Sequence, residues 1–236
     1  MTRFKHIEFY IGLVGASLVF LVLEHLTHWE FLYHLAAVPF EILIAVFVVE
    51  HFLEQRETKE KRRQLMYIKS YLFRSELRPL FLADFAALKF PAITMAEIRT
   101  ASLETLRVMR KDAETAEFTS LEAMEPAIME YVKAEPVWHG FKERAMTFNF
   151  EGIFQDMIAL LHFTGDVKLF KEKFPRRLFV HEAAKRPELL ARARKVMTDG
   201  ITSFLDYAIE LKEKQPGMFE EMMTDYILSM EIQEGQ

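Results

Sequence analysis

Ionisable side chains within an apolar run are the residues whose types and spacing point to chemistry in this sequence. The stretch 23–57, LEHLTHWEFLYHLAAVPFEILIAVFVVEHFLEQRE, contains four histidines and six glutamates. His25, His28 and His34 lie toward its start, and Glu41 lies deeper. Inside a membrane a carboxyl group must be protonated, be paired, or face water or protein. Such a group attracts cations or relays protons, whereas imidazoles bind metal ions or haem.

Two apolar segments must position these side chains. Between Glu8 and Glu24 there are fifteen residues without a formal charge. A second apolar segment follows after the short connection THWE, so a cleaved signal peptide fits less well than two helices. Each segment is about 20 residues long, which is enough to span a bilayer. The sequence therefore predicts a transmembrane helical hairpin in residues 1–54, with helices at about 7–26 and 31–53.

The basic residues predict the orientation of this hairpin. Arg3 and Lys5 precede the first helix, and the connection between the helices has no lysine or arginine. Five basic residues follow the second helix: Arg56, Lys59, Lys61, Arg62 and Arg63. By the positive-inside rule, both termini lie in the cytoplasm and the protein belongs to the cell (inner) membrane. Anionic lipid headgroups are the predicted partners of Lys59, Lys61, Arg62 and Arg63, with a solvated helix face as the alternative.

Folding the hairpin about residues 28 and 29 predicts which side chains meet. At about 1.5 Å per residue, Glu41 lies roughly 15 Å along the second helix, near the middle of the bilayer. Its counterparts on the first helix are Ala16 and Ser17, and the Ser17 hydroxyl is placed to bond the Glu41 carboxyl group. The small residues Gly12, Gly15, Ala16 and Ser17 predict close packing of the two helices.

One stripe of the second helix combines the candidate functional residues. His34, Val38, Glu41 and Ala45 follow each other at steps of four, three and four, so they share a face. Several copies arranged around an axis with this stripe inward would line a cation or proton path with a ring of Glu41. We therefore expect a subunit of a homo-oligomeric, channel-like membrane assembly and no enzymatic activity.

Two alternatives use the same residues differently. The hairpin is only an anchor in the first, and the protein scaffolds or regulates a membrane complex with a partner that the sequence does not identify. In the second, His25 and His34, with His28 nearby, bind haem or a divalent metal in an electron-transfer module. The channel-like interpretation itself requires no cofactor.

The rest of the chain predicts helices. A basic juxtamembrane helix is expected at 55–79 and a cytoplasmic multi-helix domain at 80–236, which makes the protein an all-α membrane protein. Thr94 with Glu97 and Thr119 with Glu122 have the spacing of capping boxes. Gly165 is expected to end one helix. Glycine at 200 and the QPG sequence at 215–217 are further expected breaks.

Composition excludes several classes of protein. The chain has no cysteine, which excludes thiol catalysis, thiolate metal sites and disulfides. Its net charge of −5 gives no general attraction to nucleic acid, so no nucleic-acid partner is expected. Phosphate-binding loops, dinucleotide fingerprints and HExxH zinc motifs are absent from the sequence.

Overall fold

The structure, a computed structural model, describes residues 7–234. The side chains at 7–9, 50, 54, 58, 62, 65, 233 and 234 fall outside that description, as do Arg3 and Lys5. The described chain is mostly helical, 85%, as the all-α prediction requires. It divides into two compact units, residues 1–65 and 66–236, called here the hairpin unit and the helical domain.

Among the described residues, two helices form the hairpin unit, and His28 and Trp29 connect them. Helix α1 spans Ile7–Thr27, and helix α2 begins at Glu30. His28 between them adopts φ 55°, the left-handed region, and its N–H donates to Glu24 O at 2.7 Å. This single hydrogen bond, from the residue that follows the helix to the carbonyl four residues earlier, is the αL motif of a helix C-terminus. Histidine adopts the left-handed conformation more readily than most residues. The turn therefore falls at the predicted residues.

Helix α2 continues without interruption from Glu30 to Arg74. The juxtamembrane helix predicted at 55–79 is thus continuous with α2 as far as Arg74, and the boundary between the two compact units falls inside α2, at Leu65/Met66. The physical reason is the composition of residues 54–74, which contain neither glycine nor proline and many strong helix formers.

Length and composition suit both helices to a membrane. Tyr10–Thr27 has a mean hydropathy of 1.7, and the most apolar stretch of α2 reaches 2.1. Few residues of either stretch are buried, unlike those of a core helix in a soluble protein. These features suggest membrane association.

In the described part of the chain, nine further helices build the helical domain together with the end of α2. They are α3 Arg78–Ala87, α4 Met95–Thr100, α5 Leu103–Asp112, α6 Leu121–Lys133, α7 Glu135–Thr147, α8 Glu151–Lys173, α9 Phe179–Ala183, α10 Pro187–Lys214 and α11 Pro216–Glu234. A short 3-10 helix occupies Ala113–Thr115. Two short strands that the sequence did not predict, β1 Leu88–Phe90 and β2 Glu117–Phe118, pair antiparallel.

An aromatic cluster lies at the centre of this domain. The Phe204 ring packs against the rings of Phe81 and Tyr226, each with centroids 5.1 Å away. Phe73, near the end of α2, lies 4.7 Å from Phe81 and 4.9 Å from Tyr207. Aromatic pairs in tilted and edge-on arrangements contribute stability beyond that gained by burying their surface area. The last turns of α2 are therefore part of the core of the helical domain.

Capping confirms one predicted helix start and corrects another. Thr94 and Glu97 form the predicted capping box at α4. The prediction at Thr119 was wrong, because Ser120 is the cap of α6 and its hydroxyl accepts from Ala123 N at 3.1 Å. The Thr119 N–H instead donates to Ala87 O at 2.9 Å, next to the β1–β2 pair, and Thr119 lies outside α6.

Glycines marked one break correctly and two incorrectly. The QPG sequence separates α10, which ends at Lys214, from α11, which begins at Pro216. Gly165 and Gly200, in contrast, lie inside α8 and α10, so the predicted helix ends there were wrong. Isolated glycines within a strong helical pattern weaken a helix without ending it.

Glu125 of α6 joins three helices of the domain. Its carboxylate is buried, with 6% of the residue exposed, and accepts from the N–H groups of Phe179 and Val180 at 3.0 Å each. Lys171 of α8 forms an ion pair with the same carboxylate at 2.5 Å. The charge thus occupies the beginning of α9, where free N–H groups favour an anion.

Candidate functional site

The stripe that carries Glu41 lies on a face of α2 that α1 does not cover. His34, Val38, Glu41 and Ala45 are all exposed. Ala36, in contrast, is only 5% exposed, and Pro39 is buried. At about 100° per residue, Glu41 points roughly 140° away from Ala36 around the helix. The four predicted residues therefore share a face, and that face is directed away from the contact with α1.

A serine hydroxyl joins the two helices at a weakened point of α2. Ser17 Oγ donates to Ala36 O at 2.5 Å, so it does not bond Glu41 as the sequence suggested. Pro39 has no N–H, and the carbonyl of Leu35 therefore loses its helical donor. In membrane helices, serine side chains of a neighbouring helix commonly supply hydrogen bonds around such a proline. The Ser17 bond to the adjacent carbonyl is an example of that chemistry.

The small residues of α1 divide into two groups. Ala16 and Ser17 are half-buried. A Cβ added to Gly12 or Gly15 would meet no atom within 4 Å. Those two glycines therefore do not mark a close approach of the helices within one hairpin.

The histidines form local pairs. The rings of His25 and His28 lie 6.5 Å apart between centroids, and the His34 ring lies 6.2 Å from that of Tyr33. Among the described residues no group of three His, Cys, Asp or Glu side chains is arranged to hold a metal ion. His28 has a backbone role in the turn, and a haem or metal site at His25 and His34 stays a prediction.

The basic segment of α2 is partly neutralised by its own neighbours. Lys61 pairs with Glu57 at 2.6 Å, and Arg63 pairs with Glu60 at 2.8 Å. Lys59 is exposed, and the side chain of Arg62 is outside the described part of the chain. Residues 54–63 contain five basic and three acidic residues, so an excess of positive charge remains.

No family model, curated protein or solved structure matches this chain.

A second polar arrangement, which sequence reasoning missed, lies inside the helical domain. Asp84 of α3 is completely buried, and its Oδ2 is 2.7 Å from the hydroxyl of Tyr131 on α6. That hydroxyl also lies 3.2 Å from Val196 O of α10. Three helices thus meet at one phenol group. The signal available in the sequence was an aspartate within the otherwise apolar run LFLADFAAL.

Burial raises the pKa values of both acidic groups in this arrangement. Removal from water raises the pKa of Asp84 well above its usual value, although the Tyr131 hydrogen bond opposes the shift. Burial, followed by the nearby Asp84 charge, likewise raises the pKa of Tyr131. The Tyr131 hydroxyl donates to Asp84 Oδ2 and also lies within hydrogen-bond distance of Val196 O, whereas Asp84 Oδ1 is buried and has no hydrogen-bond partner among the described residues.

Gly200 allows the phenol to approach α10. A Cβ built on this glycine would lie 1.9 Å from Tyr131 Oη and 2.8 Å from Asp84 Oδ2. No real Cβ tolerates such distances, so glycine at 200 is required by the hydroxyl group and not by a helix end. The Asp84, Tyr131 and Gly200 arrangement is enclosed by the core, and its evident role is to hold three helices in register.

Proposed function

We propose that this protein is a subunit of a homo-oligomeric assembly in the cell (inner) membrane, with both termini in the cytoplasm. In this proposal the His34, Val38, Glu41 and Ala45 face of α2 is directed toward the other subunits, and Glu41 forms a ring that conducts cations or protons. The observation that supports it is the exposure of Glu41 on the side of α2 that α1 leaves uncovered.

The energy of a carboxyl group in hydrocarbon explains why this face requires a cover. Placing an acidic residue at the centre of a membrane helix costs about 2.5 to 3.5 kcal/mol on insertion scales. Within one chain, Ser17 bonds Ala36 and leaves Glu41 without that hydroxyl. Identical helices arranged around an axis bury all copies of the stripe at once.

The remaining residues fit a path through such an assembly. His34 lies toward the outer end of the stripe, Glu41 near its middle, and Val38 and Ala45 on either side of Glu41. A ring of carboxylates raises the local concentration of cations. The same groups carry protons when they bind and release them in turn. On the cytoplasmic side, Lys59, Lys61, Arg62 and Arg63 would bind anionic lipid headgroups.

A membrane-anchored scaffold is the second candidate. It is favoured by the same free face, because the carboxyl group of Glu41 is equally able to bond a helix of a different membrane protein. In that case Glu41 is a neutral hydrogen-bonding group and the helical domain carries the regulatory contacts.

Replacing Glu41 by glutamine distinguishes the two candidates. Glu41→Gln keeps the size and hydrogen bonding of the side chain and removes its ionisable proton. In liposomes containing the purified protein, we expect altered proton flux or cation selectivity compared with the wild type. Glu57→Gln is the matched control, since it removes the same charge from α2 beyond the apolar run.

Three other results would contradict the channel proposal. They are a monomeric wild type, absence of flux at every voltage and pH tested, and unchanged flux in Glu41→Gln. The oligomer size of each variant is measured in parallel, because a smaller Glu41→Gln oligomer would assign the carboxyl group to assembly and favour the scaffold.

The orientation is tested on the same protein. Because the chain has no cysteine, a thiol reagent labels only the single cysteine that is introduced. An impermeant thiol reagent applied to intact cells should label Trp29→Cys and should not label Lys59→Cys. The reverse pattern would overturn the assignment of both termini to the cytoplasm.

A further inference from the structure

One segment of the helical domain is strongly basic, whereas the rest of that domain is acidic. Residues 171–195 contain nine lysine and arginine residues and three glutamates. The remainder of the domain, residues 66–170 and 196–236, contains 14 basic and 24 acidic residues. Positive charge is therefore concentrated where the end of α8, the short helix α9 and the beginning of α10 follow one another.

The turn between α8 and α9 is ordered by its own basic residues. The Arg177 N–H donates to Phe174 O at 3.1 Å, and Lys171 Nζ donates to Arg177 O at 2.9 Å. Lys173 Nζ lies 5.5 Å from the centroid of the Phe174 ring, and Arg177 Cζ lies 4.9 Å from it. Cations at these distances are attracted by an aromatic ring. Lys173 and Arg177 are therefore neighbours in space.

Glu182 of α9 connects this turn with the beginning of α10. Its carboxylate pairs with Lys185 at 3.1 Å and with Arg186 at 3.4 Å. The hydrogen bond from Lys185 lowers the pKa of Glu182, and the charges of Lys185, Arg186 and Arg177 act in the same direction. One carboxylate thus lies within electrostatic reach of three basic side chains, so their positive charges exceed its negative charge.

Five exposed side chains form a surface called here the basic patch: Lys173, Arg176, Arg177, Lys185 and Arg186. The first three of them have no ion-pair partner among the described residues. Lys171 is not counted, because it pairs with Glu125. With Glu182 set against the five, an excess of four positive charges remains.

We propose that the basic patch binds the anionic headgroups of the membrane in which the chain is anchored. Clusters of four to eight basic residues are typical of proteins that bind anionic lipids. The patch is a second attachment to the bilayer, separate from the basic residues at 59–63. The inference rests on the membrane location proposed above, and it is independent of conduction by Glu41.

The connection to the hairpin unit favours lipid over a polyanion free in solution. Only residues 54–65 separate the apolar run of α2 from the helical domain, so the chain itself keeps the bilayer at a high effective concentration. Each basic residue near an anionic membrane then strengthens attachment by roughly 5-fold.

The aromatic residues of the segment argue against single-stranded nucleic acid. Proteins that bind such strands stack the bases on accessible aromatic rings. Residues 171–195 contain two phenylalanines and no tyrosine or tryptophan. Phe179 is buried, and Phe174 is half-buried and in contact with the two cations. Neither ring is accessible for stacking.

Thiol labelling of the full-length protein in lipid nanodiscs tests the binding. Ala184→Cys introduces a single thiol at an exposed position next to Lys185. In nanodiscs of phosphatidylcholine and phosphatidylserine in equal amounts, a bulky uncharged maleimide should label this thiol more slowly than in phosphatidylcholine alone. We expect a difference of roughly 5-fold or more, the effect of one or more basic residues. Equal rates in the two lipids would overturn the proposal.

The control thiol, Val108→Cys, is at a position of α5 that is 54% exposed. Helix α5 lies beside the far part of α10, since Arg110 pairs with Asp206. Asp206 is roughly 30 Å along α10 from Arg186, at 1.5 Å per residue. Val108→Cys should therefore be labelled at the same rate in both lipids. An equal slowing of both thiols would show a general effect of the anionic bilayer and would contradict binding by the patch.

Neutralising the patch separates it from the basic residues at 59–63. In the Ala184→Cys background, one variant replaces four residues of the patch: Lys173→Gln, Arg177→Gln, Lys185→Gln and Arg186→Gln. The matched control replaces four exposed basic residues elsewhere in the domain: Lys89→Gln, Arg107→Gln, Lys111→Gln and Lys133→Gln. The first variant should lose the protection by phosphatidylserine, and the second should keep it. Protection that persists in the first variant would overturn the proposal.

Two further outcomes are distinguished by the same measurement. Protection of Ala184→Cys by a single-stranded RNA, with none from phosphatidylserine, would assign the patch to nucleic acid and overturn the lipid proposal. A protein that enters nanodiscs of neither composition would contradict the membrane location itself, and this inference with it. A protein that inserts and shows equal rates in the two lipids contradicts the inference alone.

Discussion

Replacing Gly200 by alanine is the sharpest test of the packing inside the helical domain. In a helix interior, Gly→Ala ordinarily stabilises by about 1 kcal/mol. Here the new methyl group would occupy the space of the Tyr131 hydroxyl, with 1.9 Å between the two atoms. Overpacking of this kind costs about 1 to 3 kcal/mol. Displacing the phenol leaves buried Asp84 unpaired, for about 1 to 3 kcal/mol more. We therefore expect a net loss of about 1 to 5 kcal/mol.

Urea unfolding of the full-length protein in detergent, followed by circular dichroism, measures this loss. The control is the double variant Tyr131→Phe, Gly200→Ala. Without the hydroxyl, the nearest atom to the added Cβ is 2.8 Å away on the Asp84 carboxyl group, and the ring carbon is 3.2 Å away. The same Gly200→Ala change should then cost much less in the Tyr131→Phe background than in the wild type.

Two results would refute the reasoning. If Gly200→Ala alone unfolds at the wild-type urea concentration or a higher one, the hydroxyl does not occupy that space. If Gly200→Ala costs the same in the wild type and in the Tyr131→Phe background, the two positions do not interact and the loss has another origin.

Three further predictions concern single side chains. Because burial raises the pKa of Asp84, the stability that it contributes is complete below the unfolded-state pKa of about 4 and is lost as the pH rises toward its folded-state value, at about 1.4 kcal/mol per unit. Asp84→Asn should remove this loss, so the unfolding free energy of the wild type minus that of the variant should fall as the pH rises. A difference that does not change with pH would show that the pKa of Asp84 is the same in the folded and unfolded states. Ser17→Ala should destabilise the hairpin by about 0.6 kcal/mol, the average for a membrane hydrogen bond, measured by unfolding in mixed micelles. His28→Gly should raise the thermal midpoint slightly and His28→Val should lower it, since only glycine adopts φ > 0 freely; equal midpoints would exclude the αL turn.

Local patterns in the sequence predicted the features that depend on neighbouring residues. The turn at His28, the capping box at Thr94 and the break at QPG each depend on a few consecutive residues. The length of α2 likewise follows from an uninterrupted run of helix formers. For the candidate stripe, spacing alone placed His34, Val38, Glu41 and Ala45 on one face of α2.

Features that depend on distant residues were not predicted. The sequence shows Gly200 only as a possible break, because its partner Tyr131 is 69 positions away and on another helix. Asp84 and Tyr131 are separated by 47 positions, and no spacing rule connects them. Ser17 donates to Ala36 O and not to the Glu41 carboxyl group because the rotation of α2 about its own axis places the Ala36 carbonyl next to Ser17. The pairing of β1 with β2, which moved the α6 cap to Ser120, is also a tertiary effect.

The contacts of Glu125 have a consequence for the order in which the chain folds. Helix α9 has only five residues, far fewer than the roughly 12 to 15 that make an isolated helix marginally stable. Its first two N–H groups find their acceptor on α6, and the lysine that balances that acceptor's charge is on α8. We therefore expect helix α9 to form only after α6 and α8 are in place. Formation of α9 is then a late step, which stabilises the packing of the surrounding helices without helping to nucleate them. Substitutions within α9 should therefore alter the rate of unfolding more than the rate of folding.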